Sequence, residues 1–241
     1  MNLIEQKNKK ILLALALHFP VFVALHTIPF IIGRYLFPAL SIEWLGYFPI
    51  ERWLIWVVPS AILIKVFEKD VYVRLKNMFF NKVKLKTFLW CILPLIAYLI
   101  GCLFITKYTG FTLAISLRKF TNINEFLSAL SNSSYSALVT PAIPEEMVFR
   151  AWIQNALLGK TPNRKRAILT IIISNIMFII IHLPTYFYSF NYSVAQALLE
   201  GFGAVFLLGS AFGVMFYKSK NILVPILAHW LCDVIAFTFY V

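Results

Sequence analysis

Charge is what this chain has least of. Only 13% of its 241 residues are Asp, Glu, Lys or Arg, and just 10 are acidic, whereas a soluble domain carries about 25% charged residues. With 61% hydrophobic residues and a mean hydropathy of +0.80, a water-soluble globule is excluded. Long polar blocks are also missing, which leaves no room for a separate soluble domain, so residues 1–241 read as a single integral membrane domain. The 3 cysteines, Cys91, Cys102 and Cys232, form no CxxC pair. That excludes a thiol redox pair or a disulfide framework and leaves them as small packing residues. An HExxH helix is absent too. Basic residues outnumber acidic ones for a net charge of +12, yet they are scattered among short connectors. Nucleic acid is therefore not the expected partner; the lipid bilayer is.

What the chain does have is a series of apolar runs near the ~20 residues that cross a bilayer. The fold class expected is all-α, a polytopic transmembrane helix bundle of about seven spans. These fall near Ile11–Gly33, Ile50–Phe67, Thr87–Thr106, Tyr135–Leu158, Ala167–Leu183, Ala195–Tyr217 and Ile222–Tyr240. Lys7, Lys9 and Lys10 precede the first run, which is too long for a signal-peptide core and reads as a retained span. Connectors and span ends on one side carry 16 basic residues, and those on the other carry 5, Arg34, Arg52, Lys107, Arg118 and Lys119. The alternation predicts a cytoplasmic N-terminus and an external C-terminus in a multi-pass plasma-membrane protein. Two connectors are long. Glu68–Lys86 mixes apolar and basic residues and predicts an amphipathic helix on anionic headgroups. Lys107–Ser134, with its Asn and Ser tracts, predicts a partly re-entrant external loop.

Ionisable residues well inside the spans are few, and each is costly there. Glu145, Glu146 and Arg150 lie on the fourth span, His182 on the fifth, Glu200 on the sixth, and His229 and Asp233 on the seventh. Counting from the nearest basic connector at about 1.5 Å per residue, Glu145, His182, His229 and Asp233 fall at roughly 22, 24, 14 and 20 Å. Three spans thus bring acid and imidazole to one level. Glu146 and Arg150 are i,i+4 and predict a supporting ion pair. Glu145 is turned about 100° from them and lacks that partner. His229 and Asp233 share a face by the same spacing, and Phe178, one turn before His182, is placed to wall the site. His18 and His26 have no acidic neighbours and read as packing residues, Glu200 as a strut, and Gly209–Gly213 as a close helix contact. A carboxylate beside a histidine can hold a water and take its proton during attack on an amide carbonyl. The same groups can instead clasp helices together.

Three motifs in order carry a family resemblance. Glu145-Glu-Met-Val-Phe-Arg150, Phe178-Ile-Ile-Ile-His182 and His229-Trp-Leu-Cys-Asp233 resemble the EExxxR, FxxxH and Hxxx(N/D) motifs of the CAAX protease and bacteriocin-processing (CPBP, or Abi) family of intramembrane proteases. The likeness covers Thr140–Asp233, within a family-like core at about 135–240; Ala151 departs from a commonly seen Gly. The resemblance implies that Glu145 acts as general base with His182, that Glu146 and Arg150 support it, and that His229 and Asp233 line the oxyanion pocket. Asp233 stands where eukaryotic relatives have Asn, so it would orient His229 rather than donate. The implied substrate is a membrane-associated peptide or lipidated protein, with a role in processing bacteriocin or signal peptides or in self-immunity. No cofactor is expected. Zinc held by Glu145, Glu146, His182 and His229 is the alternative. A non-catalytic binding or immunity scaffold and a proton-coupled transporter are the competing functions.

Overall fold

A computed structural model describes residues 3–36, 52–89, 92–93, 95–96 and 118–239. All of its regular structure is helical, with no strand among the described residues. The long helices are α1 (Leu3–Leu36), α2 (Trp53–Val66), α4 (residues 123–158), α5 (Arg164–Ser189), α6 (Val194–Ser219) and α7 (Leu223–Phe239). A short α3 (Leu75–Phe80) lies between α2 and α4. Among the described residues, three stretches are long and apolar enough to cross a membrane: Lys9–Ile28 within α1, Arg164–Ser189 and Val194–Ser219. Helices α2 and α7 are apolar but shorter, and α4 carries Glu145, Glu146 and Arg150 in its middle. The third predicted span lies mostly outside the described residues.

Helix α4 is the axis of the molecule. Over Met147–Gln154 every side chain is buried, including Arg150 and Gln154. A helix covered on all sides needs neighbours all round. Helices α1 and α2 meet it through Phe22, Trp56 and Phe149: Phe22 lies 4.7 Å from Trp56 and 6.2 Å from Phe149, ring centre to ring centre. Helix α7 packs along its first half. Pro141 and Pro144 have no amide to donate, so α4 is wound more widely, with i→i+5 bonding, over Leu138–Ala142 just before the two glutamates. Two indole N–H groups grip the backbone there, Trp53 to the Val139 carbonyl at 3.0 Å and Trp230 to the Ser134 carbonyl at 2.8 Å.

The described residues give both long connectors a definite form. Of the connector read as partly re-entrant, residues 107–117 lie outside the described residues; it is helical from Ile123 onward, and its Thr121-Asn122 tract serves as a helix cap. The Asn122 side chain accepts from the Glu125 amide at 2.9 Å, and Glu125 accepts in return from the Thr121 amide and hydroxyl at 2.8 and 2.7 Å. Those bonds hold the Glu125 carboxyl below the usual carboxylate range. In the other connector Leu75–Phe80 is helical, and the chain turns helical again at Leu85. Val73 is instead buried against α4: Asn155 accepts from the Val73 amide at 2.7 Å and donates to its carbonyl at 2.9 Å. The basic connectors meet at one end of the bundle, where Asn81 donates to the Lys220 carbonyl at 2.8 Å and Ile222 donates to the Met78 carbonyl at 2.7 Å. At another place Arg118 donates to the Phe239 carbonyl at 2.8 Å, beside a cluster of Phe120, Phe126 and Phe239.

Candidate active site

Half-way along α4, Glu145 and Glu146 point to different partners, as their 100° separation requires. Glu146, fully buried, turns one oxygen to Arg150 Nε at 3.3 Å and the other to His229 Nδ1 at 2.9 Å. Arg150, also fully buried, donates from Nη2 to the Gly209 carbonyl at 2.8 Å. Its guanidinium lies 4.9 Å from the centre of the Phe178 ring and 5.8 Å from that of Phe212. Ring nitrogen Nε2 of His229 faces Asp233 Oδ2 at 3.3 Å and Glu145 Oε2 at 3.8 Å. Phe212 stacks on the imidazole at 4.8 Å and 19°. Glu145, Glu146, Arg150, His229 and Asp233 therefore form one contiguous set.

His182 stands at its rim, half-buried. Its Nδ1–H donates to the Phe178 carbonyl at 2.8 Å, which fixes the tautomer and leaves Nε2 as the proton-accepting nitrogen. The ring meets Phe178 edge-on at 4.7 Å and lies within electrostatic reach of Glu145. Phe178 thus touches Arg150 on one side and His182 on the other. Glu200 stands away from this set, within electrostatic reach of Tyr186 and Tyr192. His18 stacks on Phe22 at 5.8 Å, and His26 lies edge-on to Trp56 at 5.2 Å.

The residue the sequence reading missed is Arg52. Counted there as a connector charge, it reaches in from the start of α2 and donates to Glu145 Oε1 at 2.6 Å, with its side chain 12% exposed. Trp56, one turn on, lies under its guanidinium at 4.5 Å. Glu145 is therefore not the unpartnered carboxylate that α4 alone suggested. The i,i+4 Arg–Trp spacing was the available signal. Asn175 was missed as well, although it precedes Phe178 and His182 at helical spacing. Its side chain lies 3.4 Å from Arg150 and donates to Ser210 Oγ at 2.8 Å.

Charge balance follows from these contacts. Two guanidiniums face three carboxylates, and His229, hydrogen-bonded to Glu146 through Nδ1 and with Nε2 3.3 Å from Asp233, makes the cluster neutral when protonated. Neutrality matters where water is scarce, because an uncompensated buried charge is strongly destabilising. The donor set suits zinc poorly. Glu146 and His229 are already committed to each other and to Arg150 and Asp233, and no group of three or more His, Cys, Asp or Glu among the described residues is arranged to hold a metal ion.

The Gly209–Gly213 step does more than pack. Arg150 and Gln154, one turn apart on α4, donate to the carbonyls of Gly209 and Gly213, one turn apart on α6, each at 2.8 Å. A Cβ on Gly209 would come within 2.6 Å of Asn175 Oδ1 and 2.9 Å of Arg150 Nη2, whereas one on Gly203 would meet nothing within 4 Å. Gly209→Ala is expected to lower stability by about 1–3 kcal/mol through this overpacking, and Gly203→Ala to be neutral. Thermal unfolding of the two purified variants checks the difference.

Residues 129–235 match the family model described as type II CAAX prenyl endopeptidase, Rce1-like. This stretch is a CAAX protease domain. It begins inside α4, ends two residues past Asp233 and contains every motif residue of the site. Arg52, on α2, lies outside it. The family is one of proteases, and together with the apolar helices it makes this a multi-pass membrane protein. No curated protein matches the chain.

Proposed function

We propose that this protein is an intramembrane endopeptidase that hydrolyses a peptide bond in a membrane-associated peptide or lipidated protein, using a water activated by Glu145 and His182. The observation that supports this best is the division of labour between the two adjacent glutamates. Glu146 is ion-paired with Arg150 and hydrogen-bonded to His229, while Glu145 presents Oε2 toward the His229 imidazole with Oε1 anchored on Arg52.

In this reading a water lies between Glu145 Oε2 and His182 Nε2. Glu145 takes its proton as the oxygen attacks the carbonyl carbon of the scissile bond. Negative charge then develops on the carbonyl oxygen. His229, held by Glu146 at Nδ1, turns its Nε2–H from Asp233 to that oxygen and stabilises the charge. The proton held by Glu145 passes to the leaving amine as the C–N bond breaks. Asp233 acts through His229, and Phe178 fixes the orientation of His182. The mechanism is metal-independent, since the donors that zinc would need are engaged elsewhere. Peptide processing for signalling, bacteriocin maturation or self-immunity at the plasma membrane is the biological setting we favour.

Arg52 adds a positioning role. Arg52→Ala is expected to reduce turnover per folded molecule by about 10–100-fold through loss of the oriented carboxylate and to lower stability by leaving Glu145 without its cation, with Arg52→Lys restoring part of both. The split between turnover and KM, measured on one cleaved peptide, checks this. The broader reading is tested by incubating the purified protein in lipid vesicles with a pool of prenylated and unmodified membrane peptides and identifying products by mass spectrometry. Discrete fragments are expected. Intact peptides throughout would favour the binding-scaffold reading, in which the same polar cluster only joins helices.

A further inference from the structure

We propose that the basin where the basic connectors meet is a binding site for the phosphate headgroup of an anionic glycerophospholipid. The basin has a volume of about 620 Å³, and its lining includes Lys69, Arg74, Lys160 and Lys220 together with Tyr72 and Asn81. Glu68 is the acidic residue in its wall, and that carboxylate is already bound by Lys65 at 3.0 Å. Asp70, beside it, faces Lys160 at 3.8 Å. Counting Lys65, five cations surround two carboxylates, so the site has an excess of positive charge and calls for an anion.

The cations are held on a built frame rather than strewn along a loop. The 67–74 turn is fastened to the end of α4: Asn155 bonds both backbone groups of Val73, and its own carbonyl accepts from the Tyr72 amide at 3.2 Å. Lys220 is fixed by Asn81, which bonds its carbonyl, and its ammonium lies 5.2 Å from the centre of the Tyr72 ring. Its backbone has φ of 54°, the left-handed conformation usually left to glycine at a helix end. A lysine there stands at some strain, and its side chain lines the basin.

A lipid suits the surroundings better than free phosphate. Val66 and Phe80 border the basin-lining segments in sequence and are 68% and 78% exposed, apolar surface that acyl chains would cover. Basic pockets at the ends of membrane helices bind anionic headgroups through the same combination. This inference stands apart from the proteolytic reading, because its test does not depend on peptide cleavage.

Native mass spectrometry of the purified full chain with dioctanoyl phosphatidylglycerol, dioctanoyl phosphatidylcholine or inorganic phosphate decides it. The wild type is expected to retain phosphatidylglycerol on the order of tenfold more tightly than phosphatidylcholine, and excess inorganic phosphate should not displace it. Arg74→Gln with Lys220→Gln should remove the preference. Lys82→Gln with Lys84→Gln, exposed cations outside the lining, should leave it intact. Equal retention of the two lipids, or equal losses in both variant pairs, would overturn the proposal. Displacement by inorganic phosphate would overturn the lipid assignment.

Discussion

Glu145→Gln is expected to accumulate in the membrane at the wild-type level and to lose peptide hydrolysis by on the order of 10²–10⁴-fold, the usual contribution of a general base. The substitution keeps the shape of the side chain and an oxygen that accepts from Arg52, so the contact between α2 and α4 survives. It removes the group that takes the proton from water. His182→Ala should fall by a similar factor for the same reason, since it takes away Nε2 while the Phe178 carbonyl it bonded lies on its own helix. If the cluster were only a clasp, Glu145→Gln would behave as wild type. Quantifying product per unit of membrane-extracted protein separates the two cases.

Arg150→Ala is expected to act on the fold instead. It strips the guanidinium from Glu146, from the Gly209 carbonyl and from the faces of Phe178 and Phe212, all in a fully buried setting. Removing one partner of a buried ion pair costs about 3–5 kcal/mol, because the remaining charge is left uncompensated. Protein levels and thermal stability should drop before any question of catalysis arises. Glu146→Gln combined with Arg150→Met removes both charges while leaving an oxygen to accept from His229 Nδ1. It should recover much of the lost stability and little activity. Failure of that double variant to recover relative to Arg150→Ala would contradict the charge-pair account.

Much of the site was legible from spacing along single helices. The Glu146–Arg150 and His229–Asp233 contacts are both i,i+4, and counting residues at a fixed rise put the polar groups of three spans within one slab about 10 Å thick. What spacing does not report is which helix stands beside which. Arg52 is 93 residues from Glu145, and its charge fitted a connector as well as a site, so only packing brings it in. The same holds for the pairing of His229 with Glu146, which redirects that imidazole from a general oxyanion donor to one oriented by two carboxylates. The helical bundle was readable from apolar runs, while the connectors were not. Thr121-Asn122 looked like turn chemistry because a helix cap uses the same residues, and the Glu68–Lys86 segment looked amphipathic although Val71 and Val73 are buried inward.

The central claim is that Glu145 activates water without a metal. A time course by mass spectrometry on one membrane-anchored peptide, comparing wild type, chelator-treated wild type and Glu145→Gln in the same vesicles, tests it most directly. The account predicts the same fragment at the same rate with and without chelator, and none from Glu145→Gln. Cleavage that persists in Glu145→Gln, or that chelator abolishes and added zinc restores, would contradict it.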